Sequence, residues 1–176
     1  MTTEVLCEKA RKIKMLLLDA DGVMTTGQVL LLPTGEELKS FYILDGFGVV
    51  AAMKAGIRVG IISGRASASL QQRCIELHIE DLYMDTMEKL PVLEKIAVRY
   101  QLNYEEIAFI GDDIPDLPVL LRVGLSATPE NGHPQVKSRV DMVLAKRGGE
   151  GAVREFIDFL LKVQGKEEAL LRHYTA

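Results

Sequence analysis

The sequence predicts an α/β fold, a Rossmann-like three-layer sandwich with a mostly parallel central sheet. Short apolar runs alternate with segments of helical periodicity along the 176 residues, which is typical of βαβ units. The apolar runs suit strands that are covered by helices on both faces. No repeat or Pro/Ser-rich linker divides the chain, and its length suits one domain. We therefore expect residues 1–176 to form a single domain.

Each element follows from its local pattern. The expected strands are Met15–Leu18, Arg58–Ile62, Asp81–Tyr83, Ile107–Ile110, 125–127 and 142–144. The expected helices are 45–55, 67–77, 88–100, one from about residue 115, and 151–163. Asp45 is expected to cap the first of these helices. Pro33-Thr34-Gly35 indicates a small β-hairpin flap within residues 24–42. Residues 165–176 form either a short helix or a mobile tail.

Composition excludes several classes of partner. The net charge of −4 argues against nucleic acid or an anionic membrane as the main partner. No segment approaches the ~20 apolar residues that span a bilayer, and the N-terminus lacks the apolar run of a secretion signal. Cys7 and Cys74 form no metal-type pair. These features together predict a cytoplasmic protein.

Polar side chains follow three of the predicted strands. Asp19 and Asp21 follow the first strand. Ser63-Gly64-Arg65 follows the strand Arg58–Ile62, and a third group, Asp112, Asp113 and Asp116, follows Ile107–Ile110. Ligands of open parallel sheets bind at the carboxyl ends of the strands. We therefore expect these residues to form one site.

The acidic residues of this cluster point to metal and phosphoryl chemistry. Close carboxylates are unfavourable unless they are protonated or share a cation. Oxygen ligands with few protein carboxylates suit Mg²⁺, which also accepts a phosphate oxygen. A carboxylate beside Mg²⁺ and a lysine can attack phosphorus, and a second carboxylate two residues later can move the leaving group's proton. The sequence therefore predicts a magnesium-dependent phosphohydrolase with Asp19 as its nucleophile.

The same residues resemble the four motifs of the haloacid dehalogenase superfamily. DADGVMT resembles the first motif, DxDGxxT, and IISGR resembles the second, an apolar strand that ends in Ser or Thr. Lys89 lies where the third-motif lysine is expected, and GDDIPD matches the fourth motif, GDxxxD. A single DxD is weak, but four motifs in order at strand ends are specific.

The resemblance implies a role for each of these residues. Asp19 would form an aspartyl-phosphate, and Asp21 would act first as general acid and then as general base. Lys89 would neutralise Asp19 and the transferring group. The substrate-binding residues would be Ser63, Gly64, Arg65 and Lys89. The metal ligands would be Asp19, Asp112 and the main-chain carbonyl of Asp21, with Asp113 or Asp116 orienting the metal's water ligands.

The spacing of the motifs leaves no room for a cap domain. A capless enzyme must take open substrates or borrow a lid from a neighbouring subunit. The whole chain is similar to one capless family, the 3-deoxy-D-manno-octulosonate 8-phosphate phosphatases, through DADGVMTTGQV, the region of DGFG, and RGGEGAVREF. This resemblance implies a phosphorylated sugar acid as substrate, a function in lipopolysaccharide synthesis, and a homotetramer in which hairpins pack together and a C-terminal tail can cover a neighbouring site.

Several alternatives stay open at this stage. Thr26, His78, Tyr83-Met84-Asp85 and residues 128–133 depart from the family pattern, so phosphatases of nine-carbon sialic-type sugar acids compete with the eight-carbon assignment. A non-catalytic phosphate-binding subunit and a phosphotransferase are further alternatives. Arg65 is a candidate for the substrate's carboxylate, or else a solvated or subunit-contact residue. Asp113 and Asp116 also suit a helix N-terminus.

Overall fold

A six-stranded sheet forms the centre of the structure, a computed structural model that describes residues 2–175. The strands are β1 (Met15–Leu18), β4 (Arg58–Ile62), β5 (Asp81–Tyr83), β6 (Ile107–Ile110), β7 (Leu125–Thr128) and β8 (Met142–Val143). Their order across the sheet is β5-β4-β1-β6-β7-β8, and every neighbouring pair is parallel. The chain therefore leaves β1 first to one side and later to the other, and this reversal defines the switch point where ligands bind.

Eight α-helices are found within residues 2–175. They are α1 (Thr3–Lys12), α2 (Ile43–Lys54), α3 (Ala68–Leu77), α4 (Leu90–Tyr100), α5 (Leu117–Leu120), α6 (Pro134–Lys137), α7 (Ala152–Val163) and α8 (Glu167–Thr175). The buried side chains of α1, α2, α3 and α7 join one core cluster, and those of α4, α5 and α6 join another. The three-layer sandwich predicted from the sequence is therefore confirmed.

Successive residues of β1 alternate between the two cores. Leu16 and Leu18 belong to the cluster under α2 and α7, whereas Met15 and Leu17 belong to the cluster under α4. All four side chains are fully buried. Because neighbouring side chains of a strand point to opposite faces, a strand that is covered on both faces must be apolar at every position. This requirement explains the uninterrupted apolar run in the sequence.

The hairpin projects beyond the main sheet and is shorter than the sequence predicted. Its strands β2 (Leu30–Leu31) and β3 (Glu37–Leu38) pair antiparallel over two residues each. The described chain holds no cap domain, since only the hairpin, α2, β4, α3 and β5 lie between β1 and α4. The absence of a cap leaves the carboxyl edge of the sheet open around Asp19.

Asp45 caps a different helix from the one expected. The first helix after the hairpin begins at Ile43, so Asp45 lies inside its first turn, and the predicted N-cap position is wrong. Its buried carboxylate instead accepts a hydrogen bond from the backbone N–H of Arg154, in the first turn of α7, at 2.7 Å. Residue Gly151 itself has no side chain to cap α7. The segments DGFG and GGEGAVRE are therefore in contact through Asp45 and Arg154. Their separation in the sequence could not show this contact.

Both ends of the described chain are helical. The polar helix α1, which was not predicted from the sequence, buries only Ala10, and an ion pair between Lys9 and Asp141 at 2.6 Å connects it to the rest of the domain. The C-terminal segment forms α8, whose Tyr174 ring lies 5.6 Å from that of Phe47. Within residues 2–175, no helix is both long enough and apolar enough to cross a bilayer.

We predict that Asp45→Ala lowers the free energy of unfolding by about 1–2 kcal/mol, because the N–H of Arg154 at the start of α7 loses its acceptor. Asp45→Asn should stay within about 0.5 kcal/mol of the parent protein, since it keeps one acceptor oxygen and removes a buried charge whose pKa burial raises to about 6. Urea unfolding at neutral pH measures both values. Asp158→Ala removes an exposed partner of Arg154 and is the control, with a change below about 0.5 kcal/mol. Equal losses for the Ala and Asn variants would contradict the capping role.

Candidate active site

Three adjacent strands deliver the predicted site residues to one edge of the sheet. In the register of the sheet, Leu18 of β1 lies beside Ile61 of β4 and Ile110 of β6. Asp19, Ser63 and Asp112 follow these strand ends within two residues. The structure thus places these three sequence-predicted residues at one location.

Three carboxylates form a compact acidic cluster at this edge. One oxygen from each of Asp19, Asp112 and Asp116 lies within 4.8 Å of the other two. Burial, followed by repulsion from Asp116, raises the pKa of Asp19 to about 7, although Lys89 opposes the shift. Burial, followed by repulsion from Asp19 and Asp116, raises the pKa of Asp112 to about 8. The cluster therefore resists full ionisation unless a cation joins it.

Lys89 is the cationic partner inside the cluster. The residue is 4% exposed and precedes α4. Its ammonium contacts Asp19 and lies 2.5 Å from an oxygen of Asp116. Burial lowers the pKa of Lys89, but the two carboxylates outweigh burial, so the net shift is upward and the ammonium stays charged. The third-motif lysine, the least specific of the four sequence assignments, is thus in direct contact with Asp19.

Asp116 and Asp113 occupy different environments. The second carboxylate oxygen of Asp116 accepts the backbone N–H groups of Asp112 at 2.9 Å and Asp113 at 3.2 Å. Asp116 therefore fixes both Lys89 and the turn that carries Asp112. The exposed Asp113 instead accepts from the N–H of Ile114 at 2.8 Å and caps a 3₁₀ turn. Of the two candidates for orienting the water ligands of a metal, only Asp116 is a member of the acidic cluster.

Two glycines allow the motif backbones to approach the carboxylates. Gly22 has a φ of +92°, and a side chain there would overlap the carboxylate of Asp112. A Cβ at Gly111 would lie 2.6 Å from the carboxylate of Asp116. Glycine is required where the backbone approaches another group so closely. The glycines of the first and fourth motifs are therefore steric requirements of the acidic cluster.

Asp21 lies beside the cluster and faces a buried lysine. Its carboxylate contacts the ammonium of Lys39, which comes from the residue after β3. The side chain of Asp21 is 28% exposed, whereas that of Lys39 is 2% exposed. Lys39 was not among the residues predicted from the sequence. The segment Glu37-Leu38-Lys39 did hold a signal, because residues i and i+2 of a strand share a face and Leu38 faces the other way.

The second motif ends in a turn with internal hydrogen bonds. The Ser63 hydroxyl donates to the carbonyl of Arg65 at 3.0 Å and accepts from its N–H at 3.3 Å. The guanidinium of Arg65 lies 2.5 Å from Glu37 on the hairpin. Gly64 and Arg65 line a cleft that also contains Asp19, whereas Ser63 is buried beneath this cleft. A hydrogen bond from Ser63 to substrate therefore requires rotation of its hydroxyl.

A cleft of about 320 Å³ opens over these residues. It is lined by Asp19, Asp21, Gly27, Gly64, Arg65, Met87, Lys89, Asp112, Asp113, Pro115 and Asp116. The lining includes Asp19, the expected nucleophile, and Asp21, the expected acid and base. It also includes the two cationic residues that are expected to bind substrate, Arg65 and Lys89. Its volume lies at the small end of the range for ligand sites, roughly 300–1,000 Å³.

The Gly148-Gly149 segment packs against the turn of the first motif. The N–H of Gly149 donates to the carbonyl of Val23 at 3.0 Å. A side chain at Gly148 would overlap the carbonyl of Gly22, and the N–H of Gly148 donates to Asn131 at 2.7 Å. These glycines do more than break the chain before α7, because they allow a distant loop to support the backbone around Asp21.

The donor set of the cluster fits a divalent cation. Asp19, Asp112 and Asp116 supply three buried or half-buried carboxylates against the single ammonium of Lys89. Full ionisation would leave two uncompensated negative charges, which Mg²⁺ would balance. All-oxygen ligands, and room in the cleft for water and a phosphate oxygen, are also what Mg²⁺ prefers.

The site has the features of a capless phosphohydrolase that uses an aspartate. Asp19 and Asp21 are two carboxylates two residues apart, and Asp19 contacts the buried Lys89 within an acidic cluster that fits a cation. Residues 76–157 match the family of haloacid dehalogenase-like hydrolases. The 3-deoxy-D-manno-octulosonate 8-phosphate phosphatase of Escherichia coli K12 is 40% identical over 158 residues, which cover 90% of this chain and 84% of the relative. The chain belongs to this family of phosphatases.

Solved structures agree with this membership. The phosphatase of the same name from Moraxella catarrhalis, in complex with magnesium, phosphate and a KDO molecule, superposes with a TM-score of 0.96 at 33% identity, covering 99% of this chain and 100% of that one. The cobalt-bound phosphatase from Haemophilus influenzae superposes with a TM-score of 0.87 at 38% identity, covering 90% and 92%. The fold is therefore shared over nearly the full length.

We predict that Mg²⁺ binds at least roughly tenfold more weakly at pH 6 than at pH 8.5. In the metal-free protein the pKa values of Asp19 and Asp112 are raised to about 7 and about 8, so both carboxyls hold protons at pH 6 that the cation must displace. Titration calorimetry in buffers of different ionisation enthalpy measures the affinity and the protons released.

Asp112→Asn should weaken Mg²⁺ binding. It should also remove the change in affinity near pH 8, which belongs to Asp112, and leave the change near pH 7, which belongs to Asp19. Asp158→Asn, an exposed change on α7, should alter neither quantity. An affinity that is equal at both pH values would contradict the prediction.

Proposed function

We propose that this protein is a Mg²⁺-dependent phosphatase that converts 3-deoxy-D-manno-octulosonate 8-phosphate into the free sugar acid and inorganic phosphate. The observation that carries this proposal is the meeting of Asp19, Asp112 and Lys89 in one buried cluster, with Asp21 at its side. Family membership at 40% identity supports the eight-carbon substrate. The proposed biological role is a step in lipopolysaccharide synthesis.

The first half of the reaction transfers the phosphoryl group to Asp19. A carboxylate oxygen of Asp19 forms a bond to phosphorus while the bond from phosphorus to the sugar's O8 breaks. Asp21 gives its proton to that leaving oxygen, which departs as an alcohol. Lys89 donates to Asp19 and to the transferring group and so stabilises the charge on the equatorial oxygens.

The second half regenerates the carboxylate. Water attacks the phosphorus of the aspartyl-phosphate, and its proton passes to Asp21, which now acts as a base. The bond between phosphorus and Asp19 breaks, and phosphate leaves. Ser63, after rotation of its hydroxyl, and the backbone at Gly64 hold the phosphoryl oxygens in both halves.

Magnesium would be held by Asp19, by Asp112 and by the main-chain carbonyl of Asp21, and it would supply positive charge to the phosphoryl oxygens. Asp116 would orient a water ligand, because it belongs to the acidic cluster and one of its oxygens accepts from the turn that carries Asp112. Asp113 is the less favoured candidate for that role, since its carboxylate caps a 3₁₀ turn.

Arg65 is the proposed partner of the substrate's carboxylate. A planar guanidinium suits bidentate recognition of a carboxylate. The Arg65 side chain is 47% exposed and lines the cleft, and one of its nitrogens is paired with Glu37. That pairing fixes the direction of the guanidinium and leaves other N–H donors for the sugar acid.

The hairpin supports assembly into a homotetramer. Its Val29, Leu30, Leu31 and Leu38 are 48%, 51%, 68% and 49% exposed. A two-stranded hairpin is marginally stable alone, and a contiguous apolar surface marks a protein interface. We propose that hairpins of four subunits pack together through these side chains and that a neighbouring subunit completes each open cleft.

The remaining features of the proposal are a single domain over residues 1–176 and a cytoplasmic location. Six of the eight described strands belong to one central sheet, and the other two form the hairpin between β1 and α2. Both cysteines are free thiols in the structure, as is usual in a reducing compartment.

The test of function is phosphate release in the presence of Mg²⁺ from a panel of sugar phosphates. We expect the eight-carbon sugar acid phosphate to give the highest kcat/KM, ahead of nine-carbon sugar acid 9-phosphates. Asp19→Asn should lower turnover at least about 10⁴-fold, because the neutral amide cannot attack phosphorus. Unchanged near-UV circular dichroism would show that the variant is folded.

Other outcomes would overturn parts of this proposal. A preference for the nine-carbon acids would change the substrate, and transfer of phosphate between sugars would indicate a phosphotransferase. Tight phosphate binding without turnover by the parent protein would indicate a non-catalytic subunit. Full activity of Asp19→Asn in a rigorously purified preparation would remove Asp19 as nucleophile.

We predict that Leu31→Glu shifts the protein from a tetramer to smaller species, because it places a charge in the apolar hairpin surface. Light scattering at micromolar concentration measures the mass. Val98→Glu on α4 makes the same change at a position that is 80% exposed and should leave the tetramer intact. A monomeric parent protein, or equal effects of both variants, would contradict the proposed interface.

A further inference from the structure

The side chain of Lys39 is buried, although the residue before it, Leu38, is exposed. Its side chain is 2% exposed, whereas Leu38 is 49% exposed on the other face of β3. Its ammonium contacts Oδ1 of Asp21 and lies 3.0 Å from Oε1 of Glu37. A buried ammonium is costly unless it is paired and hydrogen-bonded. The two carboxylates satisfy this requirement, and they also specify where the ammonium lies.

The contact leaves the two oxygens of Asp21 inequivalent. A lysine ammonium has three donors and no acceptor, so the oxygen that it contacts accepts a hydrogen bond and cannot carry the proton toward Lys39. The proton that Asp21 gives to the leaving group then belongs to Oδ2. Asp21 is 28% exposed and lines the cleft, so this second oxygen remains available to the substrate.

Glu37 extends the contact to the second motif. Its Oε1 pairs with Lys39, and its Oε2 lies 2.5 Å from the guanidinium of Arg65. The Ser69 hydroxyl donates to the carbonyl of Glu37 at 3.4 Å. The hairpin thereby connects the turn after β1 with the turn after β4 through an unbroken series of ion pairs.

We propose that Lys39 is a positioning residue for proton transfer, which holds one oxygen of Asp21 so that the other faces the leaving oxygen of the substrate. Glu37 holds Lys39 in turn. This inference rests on the proposed function. It adds a role for the hairpin that is separate from assembly, since the apolar face of β3 points outward while its charged face points to Asp21.

Two other roles are conceivable for Lys39, and each predicts a different kinetic result from the positioning role. A lysine that only fastens the hairpin would affect every substrate alike. A lysine that binds the sugar would weaken the binding of the sugar acid product. A lysine that positions Asp21 would affect substrates in proportion to their need for a proton on the leaving oxygen. The leaving group is therefore the discriminating variable.

The experiment compares Lys39→Met with the parent protein on two substrates in saturating Mg²⁺. One is the eight-carbon sugar acid phosphate, whose alcohol leaves poorly without a proton. The other is p-nitrophenyl phosphate, whose acidic phenol leaves without one. We expect kcat/KM to fall at least about 30-fold for the sugar phosphate, which is part of the roughly 10²–10⁴-fold contribution of general acid–base catalysis because Asp21 itself remains, and less than about threefold for p-nitrophenyl phosphate. The inhibition constant of the free sugar acid should change less than about threefold.

A double-mutant cycle tests whether Lys39 acts through Asp21. In an Asp21→Asn background, Lys39→Met should lower kcat/KM for the sugar phosphate less than about twofold further, because coupled residues are non-additive. Glu37→Gln should give a smaller loss with the same preference for the poor leaving group. Lys162→Met, an exposed change on α7, is the matched control and should alter neither substrate.

The outcomes separate this inference from the proposed function. No turnover of either substrate by the parent protein would overturn the proposed function. Equal losses on both substrates, no loss on either, a weakened inhibition by the sugar acid, or additive losses in the cycle would each overturn the role of Lys39 alone. Retained turnover of p-nitrophenyl phosphate also shows that the Lys39→Met protein is folded around Asp19.

Discussion

The crowding of three carboxylates around one ammonium is the constraint on which the rest of the site depends. Asp19, Asp112 and Asp116 share a space in which Lys89 offsets only one negative charge. Burial makes this imbalance costly, and it raises the pKa values of Asp19 and Asp112 toward neutrality. A divalent cation removes the imbalance. The same imbalance of charge would favour both the cation and the phosphoryl transfer that is proposed for Asp19.

The backbone around the cluster is supported by contacts that admit no side chain. Gly22 lies against Asp112, Gly111 against Asp116, and Gly148 against the carbonyl of Gly22. Asp45 in turn caps the helix that follows the Gly148 loop. Residues far apart in sequence therefore fix the position of Asp21. The cleft itself is open to solvent, whereas the backbone under it is held by close contacts.

Much of the site could be predicted from the sequence because a parallel sheet gathers its strand ends at one edge. The apolar runs indicated β1, β4 and β6, and Asp19, Ser63 and Asp112 followed them directly. Glu37 and Lys39 were missed because β3 is only two residues long and Lys39 follows its end, so the alternation is too brief to reveal a charged face. The cap formed by Asp45 was assigned to the wrong helix, since local spacing cannot show that α2 packs against the start of α7.

The sequence by itself determined the α/β class, the order of the elements and the identity of the acidic and hydroxyl groups, because periodicity and strand-end chemistry are local properties. Only the tertiary structure decided which charges meet. The contacts of Lys89 with Asp19 and Asp116, of Lys39 with Asp21, and of Asp45 with α7 join segments 70, 27, 18 and 109 residues apart. Packing of the whole chain brings these groups within hydrogen-bond distance, and no local pattern encodes that distance.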